Sequence, residues 1–100
     1  MIKLLLVIAV LANCSCGYFS SPHEIFKSHM STTIGKHISD PHTWARPDRF
    51  ISARVLKGGN IENKYKLQKS CFYFFEEDKS TGIIVKWRFE GEVKDCVISP

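Results

Sequence analysis

The stretch Ile83 to Phe89 alternates side-chain character: Ile83, Val85, Trp87 and Phe89 fall on one side, and Lys86, Arg88 and Glu90 share the other with Ile84. Side chains of an extended strand point to opposite faces in turn, so a period of two predicts a β-strand with one wet side. Just before it, Cys71-Phe72-Tyr73-Phe74-Phe75 reads as an aromatic strand, and Glu76 to Gly82 as the polar loop of a hairpin. Upstream, Phe50 to Lys57 is β-compatible and Gly58-Gly59-Asn60 is a turn signal. Ile61 to Ser70 can be read as a strand or as a loose helical face, and the turn before it favours the strand. After Gly91 the chain turns, and Val93 to Ile98 brings Cys96 back toward Cys71. The body is therefore expected to be mainly β, possibly α+β: a small antiparallel meander of three to five strands over residues 44–100. Aromatics on both sides of the 71–75 strand call for a helix from the Trp44 region or the Ile61 segment packed on top, or for an oligomeric or partner interface.

The N-terminus has a different character. Lys3 precedes the apolar run Leu4 to Ala12, which is too short for the roughly 20 residues of a membrane-spanning helix and fits a secretory signal. The stretch Leu11-Ala12-Asn13-Cys14 resembles the lipobox of bacterial lipoproteins, in which a Leu, two small residues and a Cys direct acylation of that thiol and cleavage before it. The family usually places Gly, Ala or Ser where Asn13 stands. The resemblance covers only the leader and implies residues 1–13 as a signal peptide and Cys14 as the lipidated N-terminus. It also implies attachment to membrane lipid through fatty acyl chains such as palmitate. Ser15 after the lipidated cysteine then implies delivery to the outer membrane, facing the periplasm. Ser15 and Gly17 also permit ordinary cleavage before Tyr18, which would give a freely secreted protein; an uncleaved anchor is the third possibility.

Residues 14–43 are rich in Ser, Thr, His and Pro, and Pro22, Pro41 and Pro47 interrupt any long helix. This segment reads as a disordered tether, with a short turn at Glu24 to Met30 that puts Ile25, Phe26 and Met30 on one side. About 30 flexible residues span roughly 30 Å, enough to hold a folded part clear of a membrane.

Export would carry the chain to an oxidising compartment, and Cys71 and Cys96 are the pair that lies in the folded part. They are expected to form a disulfide, the alternative being two buried thiols. A body this small buries only about 60–65% of its unfolded surface, and such a staple adds on the order of 3–4 kcal/mol. Cys16 is left over.

The net charge of +4 is modest, and no block of five or more like charges marks a nucleic-acid footprint. Lys64 and Lys66 on one strand, with Lys86 and Arg88 on another, are expected to form a basic stripe across the sheet. Such a stripe suits an envelope protein or an anionic surface polymer; the alternative is a solvated face. Trp44 marks either an exposed contact beside Arg46 or a cap over the open end of the core. His23, His29, His37 and His42 have no metal-ligand spacing, and Glu76-Glu77-Asp78 lies where no pocket would separate carboxyl pKa values. No cofactor, metal or catalytic residue is expected. The expected role is that of a non-catalytic envelope lipoprotein with an accessory, structural or partner-binding task, the alternative being a secreted basic effector or inhibitor.

Overall fold

A computed structural model describes residues 21–99 of the chain. The leader, Cys14 and Cys16 lie outside the described residues.

Four strands follow one another in an antiparallel meander: β1 (Phe50–Val55), β2 (Ile61–Gln68), β3 (Cys71–Glu77) and β4 (Ile84–Glu90), hydrogen-bonded in the order β1-β2-β3-β4. Each connection is short. Between β1 and β2, Gly59 N–H donates to Leu56 O and Leu56 N–H donates to Asn60 O, with Gly59 at φ 96°. That is a three-residue hairpin loop closing in a left-handed residue, the conformation that glycine adopts without steric cost. Between β3 and β4, Asp78 Oδ1 accepts from the main-chain N–H of Ser80 (2.8 Å) and Thr81 (3.0 Å), so the carboxylate itself builds the turn.

The structure corrects the expected tether over its described part. Residues 21–43 are folded against the sheet. Helix α1 (Pro22–Ser31) begins at Ser21, whose hydroxyl accepts from Glu24 N–H at 3.2 Å, with Pro22 in the first turn. Proline there costs nothing, since the first N–H groups of a helix have no intrahelical acceptor. Phe26 and Met30, four residues apart and hence on one face, are fully buried. After the helix the chain runs beside the start of β4, with Gly35 N–H donating to Ile84 O, Ile84 N–H to Lys36 O, and Ile38 N–H to Gly82 O. Among the described residues no helix is long and apolar enough to cross a membrane.

The core lies between α1 and one face of the sheet, where Phe26 and Met30 meet Tyr65, Tyr73, Phe75 and Ile84. Tyr65 and Tyr73 stack at 5.1 Å, while Phe26 stands edge-on to Trp87 (5.8 Å) and Phe89 (5.7 Å). Such aromatic pairs add about 0.5–1.5 kcal/mol beyond the area they bury.

The alternation of Ile83, Val85, Trp87 and Phe89 is broken by a bulge. Glu76 pairs with Lys86 but Glu77 pairs with Ile84, which leaves Val85 as an extra residue. Ile84 therefore joins Trp87 and Phe89 on the helix side and is fully buried, whereas Val85 is 44% exposed. A bulge adds one residue to one strand and so exchanges the faces beyond it. Strand β3 also runs through Glu77, so Glu76 and Glu77 belong to the ladder and not to the loop.

Cys71 and Cys96 form the expected disulfide, with Cα atoms 5.1 Å apart. It joins the start of β3 to a C-terminal segment that is itself tied down. Gln68 Nε2 donates to Asp95 O (2.8 Å), Ser70 Oγ donates to Asp95 Oδ2 (2.7 Å), and Ile98 N–H donates to Pro22 O (3.1 Å). The staple thus binds the sheet, the C-terminus and the start of α1 into one body.

Candidate functional site

Helix α1 covers one face of the sheet; nothing among the described residues lies over the other. Strand register arranges that open face in three rows. Arg54, Glu62, Glu76 and Lys86 form the first, Ser52, Lys64, Phe74 and Arg88 the second, and Lys66, Phe72 and Glu90 the third.

Glu62 is the pivot. Arg88 grips its carboxylate with two bonds, Nε to Oε2 at 3.0 Å and Nη2 to Oε1 at 2.9 Å, while Arg54 Nε donates to Oε1 at 3.0 Å from the other side. These side chains leave Glu62 only 7% exposed although no element is layered above it. The Arg88 bonds, helped by Arg54 and opposed by burial, hold its carboxyl below the usual carboxylate range. Arg88 also donates from Nη1 to Glu90 Oε2 at 2.7 Å, and these two carboxylates raise its already high pKa. Bidentate, charge-assisted bonds of this kind are about twice as strong as neutral ones and fix orientation.

Phe74 lies beneath. The Arg88 guanidinium sits 3.8 Å over its ring, and Lys64 Nζ lies 4.5 Å from the Phe72 centroid and 5.7 Å from that of Phe74. The two cations roof the aromatic floor so that Phe74 is only 6% exposed. The outcome is a shallow depression of about 340 Å³ whose walls include Arg54, Lys64, Arg88 and Glu90 and whose base is Phe74 with Glu62. A second, of about 220 Å³, adjoins it toward Lys86 and Glu76.

The structure thus brings Lys64, Lys66, Lys86 and Arg88 to one face, interleaved with carboxylates instead of forming an unbroken basic stripe. Arg54 and Arg88 are engaged by Glu62 and Glu90. Lys64, Lys66 and Lys86 form no ion pair with described residues, so the unneutralised charge of the face is positive. Glu76 accepts instead from Asn60 Nδ2 at 3.0 Å.

Trp44 is elsewhere. It is half-buried against the core, its carbonyl accepts from Tyr73 Oη at 2.8 Å, and His29 stands edge-on to its ring. That is the core-capping alternative. The histidines are scattered: His23 packs between Phe26 and Phe89 and donates from Nδ1 to Cys96 O, while His37 Nδ1 accepts from Ser39 N–H. Among the described residues no three metal-capable side chains cluster. Burial raises the Tyr65 hydroxyl to about 12, with Glu77 adding to the shift, and burial also raises Tyr73, so both stay protonated near neutrality.

Arg54, Glu62 and Phe74 were not among the candidate residues read from the sequence. Glu62 stands two residues before Lys64, which signals a shared face on a strand. Its two arginine partners become visible only once the register of three strands is known.

Comparison of the chain with protein-family models, with curated proteins and with solved structures finds no significant match in any of the three.

Proposed function

We propose that this chain is a non-catalytic envelope lipoprotein, held at a membrane through an acylated Cys14 and presenting the open face of its sheet to another envelope component. The observation that carries the partner-binding part is that face: two phenylalanines roofed by cations, with nothing among the described residues packed over them. A purely solvated sheet face has no need of a buried Phe74 beside a half-buried Phe72, and exposed sheet faces that carry aromatics suit association. Glu62 favours recognition over proton transfer, since a general acid or base works best with a pKa near the operating pH and this carboxylate is held ionised.

The disulfide supports export, because such bonds persist outside the reducing cytosol. Anchoring rests on the leader, where Leu11-Ala12-Asn13-Cys14 resembles a lipobox and Ser15 favours the outer membrane. Each buried CH₂ of an acyl chain adds about 0.8 kcal/mol, so several chains on Cys14 make a permanent anchor. The competing reading is a soluble secreted protein cut before Tyr18, favoured by the small residues Ser15 and Gly17.

Growing the producing cells with an alkyne-tagged fatty acid separates the two. The proposal expects a labelled protein whose label disappears in Cys14→Ala. An unlabelled native protein in the culture medium selects the secreted reading.

A further inference from the structure

We infer that the open face docks an acidic segment of another protein that also carries an aromatic side chain, and that it does not serve as a patch for a uniformly anionic membrane or polymer. The inference rests on the partner-binding part of the reading above and is independent of the anchor.

Among the described residues Lys64, Lys66 and Lys86 form no ion pair with a carboxylate, whereas both arginines are already engaged. Carboxylates are therefore the groups that would complete them. The same face carries Glu76, opposite Lys86, and Glu90, at the β4 end of the row that begins at Lys66. A continuous anionic surface would press negative charge on those glutamates as well as on the lysines. A polypeptide can place carboxylates opposite the lysines and neutral groups opposite the glutamates, and opposed like charges are what charge-patterned interfaces avoid.

Lys64 and Lys66 project from one side of β2 two residues apart, which is roughly 7 Å along the strand. Alternate side chains of an extended peptide repeat at that same distance. A segment lying along β2 can therefore set two carboxylates on Lys64 and Lys66, and a third toward Lys86 across β3.

The aromatic floor supplies the apolar part. Lys64 lies over Phe72 and beside Phe74, an attraction to their rings worth about 0.5–1 kcal/mol at an exposed site. A partner carboxylate can draw the ammonium upward and leave the Phe72 ring for the partner's own aromatic side chain. Arg88, gripped by Glu62 and Glu90, stays in place as the wall.

The test titrates the full chain, disulfide intact and ¹⁵N-labelled, with the acetylated and amidated peptide Glu-Thr-Glu-Thr-Phe-Thr-Glu, whose acidic and aromatic side chains share one side when extended. Polyglutamate and phosphatidylglycerol vesicles are titrated in parallel. Expected are shifts of the amides of Lys64, Lys66, Phe72 and Phe74, tighter binding of the peptide than of an equal length of polyglutamate, and little response to vesicles. The double variant Lys64→Glu/Lys86→Glu, with unchanged near-ultraviolet dichroism as evidence of folding, should weaken the peptide by roughly tenfold. Lys57→Glu, in the β1–β2 loop, should leave it unchanged. Three results would overturn the inference: no shifts on the face at millimolar peptide, equal or better binding of polyglutamate or vesicles, or equal weakening by Lys57→Glu.

Discussion

Glu62 and Arg88, 26 residues apart in the chain, meet across β3 as a two-pronged pair that fixes the open face of the sheet. Removing the charge while keeping the shape, as in Glu62→Gln, leaves two guanidiniums facing an amide. Arg54 and Arg88 keep substantial solvent contact, so the cost falls toward the low end of that for a disrupted charged hydrogen bond, about 1–2 kcal/mol in urea unfolding near neutrality. Because Arg88 depresses the folded-state pKa of Glu62, its contribution is complete above the unfolded value of 4.5 and is lost as pH falls through the lower folded value. The difference between native protein and Glu62→Gln should therefore shrink as unfolding is measured from about pH 7 down to about pH 3. A constant difference would mean that the carboxylate charge contributes nothing.

The bulge at Val85 makes two neighbouring aliphatic residues unequal. Ile84→Ala removes a fully buried side chain and should cost about 2–4 kcal/mol, whereas Val85→Lys should change stability by no more than about 0.5 kcal/mol. Denaturant melts of the two variants check the pair. The reverse order would restore the unbroken alternation.

Phe26 should be among the most expensive positions to truncate. Fully buried against Trp87 and Phe89, it should lose about 3–4 kcal/mol on Phe26→Ala, measured by thermal or urea unfolding. A neutral result would mean that the segment around residues 21–43 is no part of the core.

Reduction, or the double substitution Cys71→Ala/Cys96→Ala, should lower stability by about 3 kcal/mol, because the bond spans 25 positions of chain. Non-reducing peptide mapping should recover the two cysteines on one linked fragment.

The meander and its staple were legible in the sequence because both depend on local pattern: period-two runs, Gly58-Gly59-Asn60, and two cysteines flanking the hairpin. The folded part of the expected tether was missed although its signal is present. Ser21-Pro22-His23-Glu24 carries a helix cap with proline in the first turn, where a helix tolerates it, but beside Pro41 and Pro47 the same Pro22 also reads as a breaker. The bulge was not legible, since Ile84 and Val85 are interchangeable in chemistry and only the partner strand distinguishes them. For the same reason the lysines of the open face could be placed on one side of the sheet, while the Arg54–Glu62–Arg88 bridge, which spans β1, β2 and β4, required the register of the whole sheet.

Intact-mass analysis of the mature protein purified from the producing cells decides whether this body is an exported protein tethered by lipid at Cys14, as proposed. Expected is a chain beginning at Cys14, heavier than its polypeptide by the mass of a lipid anchor and lighter by two hydrogens for the bond between Cys71 and Cys96. A chain that begins at Tyr18 without lipid, or one that retains Met1 with every thiol reduced, would contradict it.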